Sequence, residues 1–134
     1  MSRMVEINAY SKAASGDKQL STHFKVREFA CRDGADAVLV APRLVMVLES
    51  IRTHFNAPVT ISSGYRTPQY NDQVGGVAHS QHCYGMAADI VVKGQTPQTV
   101  AAYARQLMPD WGGVGIYKGF THIDTRENKS DWKG

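Results

Sequence analysis

Three residues of this 134-residue chain have the types and the spacing of a metal site: His82, Asp89 and His122. Two imidazoles and a carboxylate are the N and O donors that catalytic zinc takes from protein, with a fourth position left to water. Asp89 stands inside the run Ala87-Ala88-Asp89-Ile90-Val91-Val92, where an unpaired carboxylate is costly, so it needs a cation. The same spacing also admits an Asp89–arginine ion pair, with both histidines solvated or hydrogen-bonded elsewhere. Cys31 and Cys83 form neither a CxxC pair nor a four-cysteine site, are too few for a disulfide scaffold, and are expected to be free.

These residues need elements to hold them. Pro42 opens a helix whose apolar stripe is Leu44, Val47, Leu48, Ile51 and Phe55, and Asn56-Ala57-Pro58 stops it. Val59-Thr60-Ile61-Ser62 alternates as a half-buried strand, and Ser63-Gly64 breaks it. Residues 65 to 84 are polar, with a short helix expected only near Tyr70 to Val74, and a loop of this length with so little apolar content is usually functional or disordered. Ala87 to Val92 reads as a strand, and Thr96-Pro97 caps and opens a helix whose inner face is Val100, Ala101, Ala104 and Leu107. Val114 to Tyr117 and Phe120 to Asp124 read as a hairpin turning at Lys118-Gly119. Upstream, Phe24 to Ala30 is expected to lay one helical turn over the core, and residues 1–20 read as a polar leading arm. The expectation is one α+β domain over residues 1–134, a mainly antiparallel sheet with helices packed on it.

Hydrophobic residues make up 43% and charged residues 20% of the chain, enough apolar material for a core and too much for a disordered tail. The longest apolar stretches, such as Ala37 to Ala41, fall far short of the ~20 residues that span a bilayer. The opening MSRMVEINAYSK lacks a secretory pattern, so synthesis in the cytoplasm without a signal peptide is expected. The net charge of +3 comes from scattered residues with no basic cluster, which argues against nucleic acid as a partner and suits, without identifying, an anionic polymer such as a bacterial wall.

Ser80-Gln81-His82-Cys83-Tyr84-Gly85-Met86-Ala87-Ala88-Asp89 resembles the S-x-H-x-x-G-x-A-x-D signature of the D-Ala-D-Ala carboxypeptidase and L-alanyl-D-glutamate endopeptidase family. Ser62-Ser63-Gly64-Tyr65-Arg66-Thr67 resembles that family's S-G-Y-R-T block, and Gly115-Ile116-Tyr117 with Phe120 to Asp124 its C-terminal block. The three blocks follow in the family's order, over residues 24 to 132, and the small phage and prophage forms are the most similar in character. The resemblance implies a hedgehog-like or lysostaphin-like zinc site, with His82, Asp89 and His122 as ligands of Zn2+. It also implies peptide hydrolysis in peptidoglycan stem peptides, a substrate-contacting or oxyanion-stabilising Arg66, and contributions to substrate binding from Ser80 and Tyr84. Arg66 follows a break in a polar loop, so it is expected to serve substrate rather than stability. The expected protein is a monomeric lytic enzyme acting on the cell wall after release; the alternative is a zinc-containing wall-binding module that has lost catalysis.

One position departs from the family pattern. Several members place an acid three residues before the last histidine ligand, where this chain has Gly119. Asp124 lies two residues after His122, and in a strand such residues share a face about 6.6 Å apart. Asp124 is therefore expected either to act as the general base or to orient a ligand imidazole, with Asp72 next in line as base. His23, His54 and His79 are read as bystanders, Cys83 as a free thiol that diverges from its neighbour His82, and Trp111 and Trp132 as packing residues.

Overall fold

The computed structural model describes residues 6–134; residues 1–5 of the expected arm lie outside the described residues. The remainder of that arm is structured. Strand β1 (Asn8–Ser11) pairs antiparallel with β2 (Ala37–Val40), and a single turn, α1 (Lys12–Ser15), is capped by Ser11 Oγ, which accepts from Ala14 N at 3.1 Å. The polar side chains that suggested an arm are fastening points: Asp36 accepts from Ser11 Oγ at 2.7 Å and from Ala13 N at 2.8 Å. A 3₁₀ turn over Val26–Phe29 drives Phe24, Val26 and Phe29 fully into the core, as the apolar spacing there predicts.

Helix α2 (Pro42–Phe55) starts at its proline and ends at Asn56, which takes the left-handed conformation at φ 48°. Its buried face is Leu44, Val45, Val47, Leu48 and Ile51, each side chain contributing about 1.5–3 kcal/mol through burial when fully covered. Strand β3 (Val59–Ser63), the short helix α3 (Pro68–Gln73), a 3₁₀ turn over Gln81–Tyr84 and strand β4 (Ala87–Val92) follow. Helix α4 (Pro97–Leu107) is capped by Thr96 Oγ1, which accepts from Thr99 N at 3.2 Å. Strands β5 (Gly113–Ile116) and β6 (Thr121–Asp124) form the expected hairpin, closed where Tyr117 N–H donates to the Phe120 carbonyl at 3.0 Å and the two rings stack. Strand β7 (Ser130–Lys133) completes the chain.

The main sheet has the order β3-β4-β6-β5-β7, antiparallel throughout except for the parallel β5–β7 pair. The fold is α+β. Because side chains alternate along a strand, register divides the sheet into two faces. Ala88, Ile90 and Val92 of β4, Ile123 of β6 and Val114 of β5 face the helices and are all buried. Asp89, His122 and Asp124 occupy the intervening positions, so the same alternation that builds the core places the polar residues together on the opposite face. Gly64, just after β3, sits where a Cβ would meet the Phe29 backbone at 2.8 Å, so the turn leaving β3 lies flat against the 3₁₀ segment.

Candidate metal centre

A single row of paired residues crosses the sheet: Ser63 opposite Asp89, Asp89 opposite His122, His122 opposite Gly115, and Gly115 opposite Trp132. A register shift in β3 between Ile61 and Ser63 brings Ser63, rather than Ser62, into line with Asp89. His82 joins the row from outside the sheet, carried by the 3₁₀ turn that Ser80 caps by accepting from His82 N at 3.3 Å. The ligand atoms of His82, Asp89 and His122 all lie within 4.8 Å of one another, and all three residues are buried.

The hydrogen bonds on the outer side of each imidazole decide which nitrogen faces inward. His82 Nδ1 is 2.8 Å from the Gly64 carbonyl, which can only accept, so Nδ1 carries the proton and Nε2 turns a lone pair toward Asp89 Oδ1, 3.3 Å away. His122 Nε2 donates to Asp124 Oδ2 at 2.8 Å, leaving Nδ1 to face Asp89 Oδ1 at 2.9 Å. Two lone pairs and a carboxylate oxygen thus converge on one point with no donor between them when both rings are neutral. A cation satisfies that arrangement. The donor set is the N,N,O set of a zinc centre, and each imidazole is oriented by an outer acceptor, as metal-bound histidines commonly are. Without a cation, protons must fill the role: burial works against a charged His122, but Asp124 and Asp89 outweigh it and raise its pKa. Burial likewise pushes the Asp89 carboxyl up, and the bonds from His122 and His82 reverse this and hold it well below the usual carboxylate range.

Asp124 is fully enclosed, and both its oxygens are used. Oδ1 accepts from Gly113 N at 3.0 Å, Arg126 N at 3.1 Å and Arg126 Nε at 2.8 Å, while Oδ2 accepts from His122 Nε2 and from Arg126 Nη2 at 2.6 Å. Burial raises its pKa, but the Arg126 fork and His122 more than offset this and keep the group ionised. Gly113 is required here, since a Cβ at that position would collide with the Asp124 carboxylate.

Arg66 is more constrained than its polar loop suggests. Its Nε donates to Ser63 Oγ at 3.1 Å, Nη1 to Asn71 Oδ1 at 3.2 Å, and Nη2 lies 3.4 Å from Asp89 Oδ2. Asn71 is itself buried and donates to the Val77 carbonyl at 2.9 Å, so Arg66 is tied into the loop's structure, contrary to the expectation that little depends on it. Ser80 reaches the cleft rim and also serves as the cap of the His82 turn. Tyr84 is exposed and does not line the cleft; its hydroxyl is 3.2 Å from His79 Nδ1. The reason is local, because side chains in a 3₁₀ turn repeat about every three residues, and Tyr84, two beyond His82, is directed elsewhere.

The ligands open onto a cleft of about 450 Å³ between the Val74–Val77 segment and the aromatic residues Tyr117, Phe120 and Trp132, with Arg66 and Arg126 both in its lining. Among the described residues lining it, Asp89 is the only carboxylate; Asp72 is exposed and outside it. Sequence reasoning did not find Asn71, Arg126 or the place of Trp132. Only Arg126 left a signal, a cation two residues past a buried acid. A larger groove of about 680 Å³, between β1 and α2, carries no such ligand set.

A model of the Peptidase M15 family matches residues 20–124. No curated protein matches the chain. The matched span contains Arg66, the three converging ligands and Asp124, and stops short of Arg126 and β7. Covering well over half of the sequence and every element from the core-forming 3₁₀ turn to β6, it shows that the chain belongs to the M15 peptidases, the zinc-dependent family similar to D-Ala-D-Ala carboxypeptidases.

Proposed function

We propose that this protein is a zinc peptidase that hydrolyses peptide bonds in the stem peptides of bacterial peptidoglycan, in the setting of a phage or prophage lytic system. The observation that carries the reading is the trio of inward-facing acceptors, with tautomers set from outside, at the floor of an open cleft. Zinc held by His82, Asp89 and His122 would supply Lewis acidity toward the scissile carbonyl and a bound water of lowered pKa. The chain's own residues do the positioning. Arg66 spends three of its five N–H groups on Ser63, Asn71 and Asp89, so its plane is set before substrate arrives and the remaining two are available to a substrate oxygen.

Of the two roles open to Asp124, its enclosure and fully used oxygens support the orienting one. It holds His122 with Nε2 outward, while Arg126 keeps the carboxylate charged. Asp124→Asn is expected to weaken zinc affinity by about 10- to 100-fold, with activity largely recovered in excess metal. Titration with a competing chelator measures this. Unchanged zinc affinity with turnover reduced roughly 10²- to 10⁴-fold would instead assign Asp124 as the general base.

A second reading has one observation in its favour: apart from Asp89, itself one of the three metal-site residues, the described residues lining the cleft include no carboxylate to serve as base, with Gly119 in the position where an acid is expected. A zinc-bearing module that binds wall peptides without cutting them would have such a site. Digestion of purified peptidoglycan, followed by mass spectrometry of the soluble products, decides between the two. New peptide termini establish the peptidase and identify the bond; intact peptides with zinc retained and wall fragments bound establish the module.

A further inference from the structure

We propose that Trp132 contacts the substrate and sets specificity, forming with Tyr117 the wall of the cleft opposite Arg66; this rests on the peptidase reading above. By composition alone Trp132 is a packing residue at the end of a polar segment. Register gives it another position: it stands in the same cross-sheet row as Asp89 and His122, separated from His122 only by Gly115. Gly115 has no side chain to occupy the intervening space, and a Cβ there would come within 2.6 Å of the indole. The indole therefore lies over Gly115 and reaches the metal ligand, with the Trp132 and His122 rings 5.0 Å apart between centroids.

Its orientation is set from two further sides. The indole Nε1 donates to Tyr117 Oη at 2.8 Å, and the Arg126 guanidinium, held by Asp124, sits 5.2 Å from the ring centroid. An aromatic face immobilised in this way loses little entropy when a ligand packs on it. Because the indole N–H occupies one lone pair of the Tyr117 oxygen, the phenol's own proton is left to donate to a ligand, and Tyr117 also lines the cleft. At the other end of the row, Ser63 fixes Arg66.

The two flanks differ in chemistry. Arg66 offers a cation to a carboxylate or carbonyl oxygen, whereas Trp132 offers a flat apolar surface with a hydroxyl donor at its edge. Arg66 reaches in to Asp89 on β4 and the indole lies over Gly115 on β5, so the two flanks stand about two strand spacings apart, about 10 Å, which accommodates about three extended residues. The substrate class that fits is a short extended peptide with a free carboxylate toward Arg66 and a small aliphatic side chain against the indole. Strand β7 lies beyond the family-matched span, so the indole of this wall, unlike Tyr117 and Gly115, is a feature the family match does not supply.

The test uses the zinc-loaded full chain and a synthetic stem peptide containing both L-Ala-D-Glu and D-Ala-D-Ala bonds. The chain has two tryptophans, so Trp111→Phe leaves Trp132 as the sole indole reporter; saturating peptide is expected to shift its emission. Trp132→Ala is expected to raise KM about 5- to 10-fold with a smaller change in kcat and full zinc content. Gly115→Ala, which displaces the indole without removing it, should show the same split, and Trp132→Phe should recover part of the loss. Unchanged KM in folded Trp132→Ala and Gly115→Ala overturns the proposal, as does a fall in zinc affinity and kcat with KM preserved, which would mean that the indole only supports His122. If the parent chain cleaves peptidoglycan and these variants match it, this inference alone fails. If the parent neither cleaves nor shifts its emission, the peptidase reading fails with it.

Discussion

Asp89→Ala is expected to release zinc and abolish peptidase activity, with a loss of metal affinity well beyond the 10- to 100-fold typical of an outer partner. The substitution removes the one charge on which both imidazoles converge, at 2.9 Å from His122 Nδ1 and 3.3 Å from His82 Nε2, and leaves Arg66 without its acid. Metal content after gel filtration, with circular dichroism to verify the fold, measures the effect. His122→Ala should behave likewise, and retention of one zinc per chain by either folded variant removes that residue from the centre. Acid is expected to act in the same direction. Zinc must displace protons from its ligands, and the neighbouring carboxylates raise the His122 pKa, so affinity is expected to fall as pH drops through that raised value, as metal content measured across a pH series would show.

Arg66→Ala is expected to lower turnover by about 10²- to 10³-fold, the scale on which one preorganised donor at a developing oxyanion contributes. The structure adds a second effect that the loop's composition conceals. With Arg66 gone, buried Asn71 Oδ1 loses its partner, at a cost of about 1–3 kcal/mol, so thermal stability should fall as well. Arg66→Lys separates the contributions, because lysine restores the positive charge without the planar fork. It should recover part of the stability and little of the turnover. Turnover near normal in Arg66→Ala, alongside the stability loss, would make this arginine a structural strut.

The parts of the fold legible in the sequence were those whose apolar spacing is internal to one segment. The Leu44–Ile51 stripe, the Ala87–Val92 strand and the Thr96-Pro97 cap lie where their patterns place them. Strands β1 and β7, Asn-Ala-Tyr-Ser and Ser-Asp-Trp-Lys, carry almost no β signature of their own and exist through pairing with distant partners, which single-segment reading does not register. The site divides the same way. His82, Asp89 and His122 were visible because a compact motif and a buried carboxylate demand an explanation from sequence alone. The link from Asn71 to Arg66, and the seating of Trp132 over Gly115, depend on which residues face one another across strands and loops, and no spacing along the chain encodes that.

The cross-sheet row also governs how the chain can vary. A segment outside the strands, such as the stretch between α3 and the His82 turn, can change length and keep the centre as long as its ends return to the same points. Within β4, β5 and β6 length is locked, because a slip of one residue in β6 would turn His122 and Asp124 into the core and expose Ile123 in their place. Insertions and deletions in descendants of this sequence should therefore collect between Val74 and His79, after α3 and before the Ser80 cap, and avoid the four residues from Thr121 to Asp124, where substitutions would be tolerated or lost one side chain at a time but a single added residue would remove the centre outright.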